Sequence, residues 1–269
     1  MGSKPSKAEC PAPVEAKAVT IPRLPQEIID EILDHLADSN SLGSLRACAL
    51  TSKSWVQPCR RHLFRTVVFK STYVDRWFKV FPVQEGSPAH HVRELRVWIG
   101  GGSRVPETFF EHTSHFTGAD SLCFLGHAGP PSSLRPSLWK LPQSITSLNV
   151  NSGVVTLLQV RDIMAQLPNL ENLSLTGFLV PVDRSELVGI GRVMRGRFGG
   201  QLVLGRGYAD ESITNMFLEI PSGLHFTEVQ ICYTREHLIS AVRLTEACCK
   251  TLVKLSHSAT FQCESHPLP

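Results

Sequence analysis

The sequence predicts an α/β chain: a module of three short helices near the N-terminus, followed by a curved stack of short parallel strands alternating with helices. Two patterns predict it. Between residues 24 and 36 apolar side chains recur at helical spacing, and beyond residue 90 an alternating strand-like pattern returns at a nearly fixed interval. Composition frames both patterns. With 269 residues, 42% hydrophobic, 19% charged and a net charge of +3, the chain has a globular profile and enough apolar content for a core. So small a net charge argues against a field that gathers nucleic acid, and no nucleic-acid partner is expected.

Residues 1–20 contain prolines and lysines but few large apolar side chains, and they predict a flexible tail. The first helix follows. Leu24, Ile28, Ile32 and Leu36 recur every four residues, and Ile29 and Leu33 widen the stripe. Pro25 suits a first helical turn, and Glu27, Asp30 and Glu31 lie near the positive end of the helix dipole. Asn40 or Ser41 caps a second helix carrying Leu42, Leu45 and Cys48. A third begins near Thr51 or Ser52 and carries Trp55, Cys59, His62 and Leu63; Pro58 is compatible with it only in the first turn. Charge divides the module. Residues 21–45 hold five acids and one base, whereas residues 46–70 hold six bases and no acid, a polarity that orients a partner.

The ordered set Leu24-Pro25-x-Glu27, Ile28, Ile32, Leu33, Leu36, Leu45-x-x-Cys48-x-Leu50 and Trp55 resembles an F-box over residues 21–70. The ending Arg61-His62-Leu63-Phe64-Arg65 with Val67 and Phe69 is similar to that of mushroom-type fungal F-box proteins. Thr51 and Ser52 depart from the pattern, standing where relatives often carry an apolar residue and a cysteine. The resemblance implies an F-box over residues 21–66 that docks on a Skp-type adaptor, and through it cullin, using Leu24, Pro25, Ile28, Ile32, Leu36, Leu45, Cys48 and Trp55. Some of these side chains would then face water in the free chain as an apolar patch.

After a connecting segment, 67–91, the repeat begins. Its anchors are Leu95, Leu122, Leu148, Leu173, Leu202, Val229 and Leu255, spaced 27, 26, 25, 29, 27 and 26 residues apart. A period of about 20–29 residues with this alternation is the leucine-rich-repeat signal, and residues 92–269 resemble the irregular repeats found behind F-boxes. The Asn or Cys expected five residues after each anchor is replaced by Gly100, His127, Gly153, Phe178, Gly207, Thr234 and Thr260. Residues 154–167 and 235–252 show helical spacing, which suits a strand-plus-helix unit stacked into a solenoid. Only twelve residues follow the last strand, too few for another repeat, so the end of the stack is uncapped or the sequence is truncated.

Repeat proteins bind partners on the strand face opposite the helices. Arg96, Trp98, Asn149, Asn151, Ser174, Thr176 and Gln230 are the expected target-binding residues there. Trp98 beside Arg96 has the composition of a binding hot spot; the competing reading packs Trp98 under the Gly100-Gly101-Gly102 loop or against the helical module. Neither a metal nor a cofactor is expected. Cys249, His257, Cys263 and His266 lie close in sequence, but only Cys263 with His266 has a ligand-pair gap, and the eight cysteines form no CxxC pair and read as reduced buried thiols. The basic segment Gly191–Arg197 with Arg206 lacks both a phosphate-loop pattern and stacking aromatics. No catalytic motif is present, and the chain reads as a non-enzyme.

The start Met1-Gly2-Ser3-Lys4-Pro5-Ser6-Lys7 fits a myristoylation pattern at Gly2, and Cys10 is placed to take a second acyl chain. No apolar run is long enough to span a bilayer or serve as a secretory core. The expected location is cytoplasmic or nuclear, with membrane association only if Gly2 is acylated. The function these readings imply is recognition of a protein target for a ubiquitin ligase; the alternative is a repeat scaffold without a role in ubiquitination.

Overall fold

The structure, a computed structural model, describes residues 24–70, 73–82, 86–98, 112–126, 140–152, 156–176, 194, 196, 198–205 and 210–259. Three helices come first: α1 (Gln26–Asp38), α2 (Leu42–Thr51) and α3 (Lys53–Leu63). Pro25 sits just outside α1, where its missing N–H costs nothing. Ser52 caps α3, its hydroxyl accepting from the Ser54 amide. Pro58 lies inside α3 and beyond its first turn, contrary to the sequence expectation. The helix bond it forgoes would end on the carbonyl of Ser54, an exposed residue. Ile29, Leu33, Leu45 and Cys59 form the buried centre of the module, with Leu36, Cys48, Trp55 and Leu63 packed around them.

Eight strands then form one parallel sheet in strict chain order: β1 (Thr66–Phe69), β2 (Glu94–Trp98), β3 (Ser121–Gly126), β4 (Ser147–Ser152), β5 (Asn172–Leu175), β6 (Gln201–Leu204), β7 (Glu228–Tyr233) and β8 (Lys254–Ala259). The register aligns the sequence anchors. Leu95, Leu122, Leu148, Leu173, Leu202, Val229 and Leu255 stand side by side, each paired with the next. Two residues further on, Val97, Phe124, Val150, Leu175, Leu204 and Ile231 form a second row, fully or almost fully buried. The segment read from sequence as a connector contains β1, whose Val67 and Phe69 extend these two rows by pairing with Leu95 and Val97.

Six strands, β2–β5, β7 and β8, are entered by the same device, and at β6 the Asn172 side-chain oxygen accepts from the Gln201 amide instead. The carbonyl of Arg65 accepts from the amides of both Arg93 and Glu94; Arg93, Asp120, Thr146, Gly200 and Thr227 repeat this toward the following strand. A parallel strand placed this way must be reached by a crossover, and helices supply the cover for the leucine face. These are α4 (Val74–Val80), α5 (Leu157–Ala165), α6 (Glu211–Leu218) and α7 (Leu238–Cys248). α5 and α7 fall within the two segments of helical spacing; α4 and α6 were not singled out by sequence. A capping box of Thr156 and Gln159 starts α5, and the Asp210 carboxylate accepts from the Ile213 amide to start α6. Their inward residues, among them Val160, Ile163, Phe217 and Leu244, join the strand rows in one core.

Loop backbone is satisfied without the expected asparagine ladder. Ser144, Thr227 and Thr251 donate their hydroxyls to the carbonyls of Ala119, Gly200 and Phe226, and the Asn169 amide donates to the carbonyl of Gln143. Ser and Thr on the loops before the strands therefore stitch one turn of the chain to the previous one. An aromatic cluster joins the helical module to the sheet: Phe64 meets Trp77 and Phe81 edge-on, and Trp77 meets Phe69 in the same way. Among the described residues, no helix is long and apolar enough to cross a membrane.

Candidate functional site

α1 carries two apolar stripes. Ile29 and Leu33 face the module's core, while Ile28 and Ile32, four residues apart, share the outer face, and Leu24 lies just before the helix. Leu24, Ile28 and Ile32 are 52%, 42% and 40% exposed, and Pro25 beside them is exposed too. Leu42 and Leu50 of α2 add apolar surface, Leu50 being almost entirely in water. Burying one such side chain is worth about 1.5–3 kcal/mol, so exposed apolar residues gathered on and beside α1 and on α2 form a surface of the kind that partners cover.

The eight expected adaptor-contact residues divide into two groups. Leu24, Pro25, Ile28 and Ile32 are at the surface. Leu36, Cys48 and Trp55 are half-buried against the module's core, and Leu45 is completely buried. Leu45 is therefore corrected from contact residue to core residue: its side chain touches Ile29, Leu33 and Cys59 territory and presents nothing outward. Leu42 and Leu50 were missed as surface residues, although Leu50 ends the Leu45-x-x-Cys48-x-Leu50 run. The signal was there in the helical period, which places Leu50 five residues from Leu45 and off its buried face. Asp34 of α1 pairs with His62 of α3 at 3.0 Å, tying the acidic helix to the basic one.

The second candidate surface is the strand face opposite the leucines. Arg96, Asn149, Ser174 and Gln230 lie in one row across the sheet, with Cys123 between the first two and Val203 between the last two. Trp98 and Asn151 belong to the next row, with Leu125 between them, and Thr176 follows directly beyond Leu175. Arg96, Asn151, Thr176 and Gln230 are exposed; Trp98, Asn149 and Ser174 are half-buried. The Arg96 guanidinium forms a forked pair with Glu94 at 2.8 and 3.1 Å, and this hydrogen bonding raises its already high pKa. The Thr66 hydroxyl donates to the same carboxylate, so β1 helps to hold it. Trp98 has the Lys70 ammonium 5.9 Å from its ring centre, which places the indole against the end of the helical module's segment. The buried Oδ1 of Asn149 has no hydrogen-bond partner among the described residues.

Burial pushes the Cys123 thiol up to about 11, with Glu94 adding to the shift, and it does the same to Cys248. Both are poor nucleophiles. Among the described residues no group of three or more His, Cys, Asp or Glu side chains is placed to hold a metal ion. Gly2, Cys10, Cys263, His266 and the arginines at 192, 195, 197 and 206 lie outside the described residues.

Residues 21–70 match the F-box-like family, a span that contains α1, α2, α3 and β1. No curated protein matches the chain. The N-terminal module is thus an F-box-like domain, a kind of domain that generally binds Skp-type adaptors and that suggests a role in the ubiquitin-ligase system.

Proposed function

We propose that the chain is the substrate-recognition subunit of a Skp/cullin/F-box ubiquitin ligase. The observation that carries this reading is the outward pair Ile28 and Ile32 on the first helix, with exposed Leu24 just before it, in a domain that matches the F-box-like family. The adaptor covers these residues together with Pro25 and the exposed leucines of α2. The sheet then acts as a leucine-rich-repeat-like solenoid that holds a target protein on the rows containing Arg96, Trp98, Asn149, Asn151, Ser174, Thr176 and Gln230. Support comes from the strict strand order and from the shared way in which six of the strands are entered, which give that face regularly spaced side chains. No bond is made or broken by the chain itself; holding a target beside a ubiquitin-charged enzyme raises the effective concentration of the target's lysines.

The test is affinity capture of a Skp-type adaptor co-expressed with the full chain. Wild type captures the adaptor and, with it, cullin. The double variant Ile28→Asp, Ile32→Asp loses capture while its circular dichroism is unchanged, because both side chains lie on the module's surface and each new charge must be desolvated in the interface. Equal capture by wild type and variant, or no capture by a folded wild type, overturns the proposal. Capture of adaptor without cullin favours a scaffold role instead.

A further inference from the structure

The junction between the helical module and the sheet holds a half-open cleft of about 460 Å³ lined by three arginines, three histidines and one aspartate. Arg61, His62 and Arg65 come from the end of α3 and the segment behind it; His90 and His91 come from the 3-10 turn Pro88–His91, and Arg93 from the approach to β2. Asp120 is the one carboxylate of the lining. We propose that this cleft is an anion site that takes a phosphate group, either as the free anion or as a monoester. The inference goes beyond the adaptor and target surfaces and does not depend on them.

The charge balance fits that ligand. Three arginines against Asp120 leave two positive charges uncompensated, and a phosphate monoester carries about −1.5 to −2 at neutral pH. Among the described residues Arg61 and Arg65 have no ion-pair partner, whereas His62 is engaged with Asp34 and Arg93 donates to the carbonyl of Gly118. Arg60, Arg61 and His62 in the last turn of α3 also offset its dipole. That role does not account for Arg65, His90, His91 and Arg93, which belong to other segments and converge on the same space. His91 reports the resulting field: burial first, then the positive charges of Arg61, His90, Arg60 and Arg93, hold it below the usual imidazole range. Guanidinium groups present paired donors that match two oxygens of a tetrahedral phosphate. Among the described residues no Phe, Tyr or Trp lines the cleft to stack a base, so the observations favour the phosphate group itself over a nucleic-acid strand.

The test uses the full chain and two probes, inorganic phosphate and the N-acetyl amide of O-phosphoserine, titrated at constant ionic strength and followed by calorimetry. Wild type is expected to bind at least one of them saturably in the millimolar range or tighter. Preference for inorganic phosphate identifies a free anion as the ligand, and preference for the phosphoserine amide identifies a phosphorylated side chain. Arg61→Gln with Arg65→Gln weakens binding at least about tenfold, since two charge-assisted bonds are lost. Arg61→Lys with Arg65→Lys retains more of it than the glutamine pair, and Arg46→Gln, a base of α2 outside the cleft lining, leaves it unchanged. Both cleft arginines are exposed, so the thermal midpoint should hold in every variant. Absence of saturable binding of either probe to wild type overturns the proposal, as does equal affinity in wild type and the glutamine pair.

Discussion

The helical module and the sheet draw on the same apolar residue types, yet they bury them differently. In the module four side chains are buried at the centre, and α1 leaves a whole stripe outside. In the sheet, two rows run from Val67 and Phe69 to Val229 and Ile231 with almost nothing exposed, and exposure returns only at β8, where Leu255 is 43% exposed. Each interior strand has a neighbour on both sides. The module has a few layers of side chains and leaves apolar residues at its surface. The contrast separates a region that closes its apolar rows by its own repetition from one that, among the described residues, leaves part of its apolar surface open.

Truncation in the two cores sharpens that contrast. Leu148 stands between Leu122 and Leu173 and is fully buried, so Leu148→Ala leaves a cavity enclosed on all sides and should cost about 3–5 kcal/mol of global stability in urea titration. Leu33→Ala in the module should cost about 2–3 kcal/mol. Its consequence should be local: hydrogen exchange rises across residues 26–63 while the strand amides keep their protection. Loss of protection throughout the sheet in the Leu33 variant would show the two cores to be one cooperative unit and break the comparison.

A smaller effect is expected where strands approach most closely. Gly205 directly follows β6, its amide donating to the carbonyl of Leu175. A Cβ there would lie 2.9 Å from the Thr176 Cα and 3.2 Å from the Leu175 carbonyl oxygen, both backbone atoms that cannot swing away. Gly205→Ala must push β5 and β6 apart locally and should cost about 1–3 kcal/mol, read as a fall in thermal midpoint. Gly43→Ala on α2, where the new methyl meets nothing within 4 Å, should raise stability by up to about 1 kcal/mol. A Gly205 variant as stable as wild type would mean that strand spacing is looser than the register implies.

Most of this architecture is legible from residue order. The α1 stripe and the anchors from Leu95 to Leu255 need only a helical period and a fixed interval, and the register pairs those anchors one to the next. β1 escaped because Val67 and Phe69 belong both to the ending of the helical module and to the strand rows, although Val67 precedes Leu95 by 28 residues, one interval of the same repeat. The division of the module's apolar residues is harder to see. The helical period sets Leu45 and Leu50 on different faces of α2, but the packing of α2 on α1 and α3 decides which of those faces is buried. The cationic cleft was not legible at all. Its arginines and histidines lie between residues 61 and 93 with no motif spacing, and they meet because β1 and β2 pair in parallel and bring the segments before them together.

The thiols extend the comparison to chemistry and give the smallest expected effect. Cys59 in the module has its pKa raised by burial first and by Cys48 second, while Cys123 and Cys248 in the sheet are pushed up to about 11. An unfolded thiol titrates near about 8.5. Between that value and about 11 the folded chain keeps protons that the unfolded chain has released, so the contribution of these thiols to stability is full below the unfolded pKa and is lost as pH rises through the folded one. Stability should therefore fall with pH across that window, and Cys123→Ala with Cys248→Ala should make the fall shallower whatever the cavities cost in absolute terms. Alkylation gives an independent check. Cys249 is exposed beside buried Cys248, so iodoacetamide at pH 8 should modify Cys249 first and reach Cys248 only on unfolding. Equal labelling of the two would mean that the end of α7 opens readily, and that the self-sufficient part of the sheet stops before its last helix.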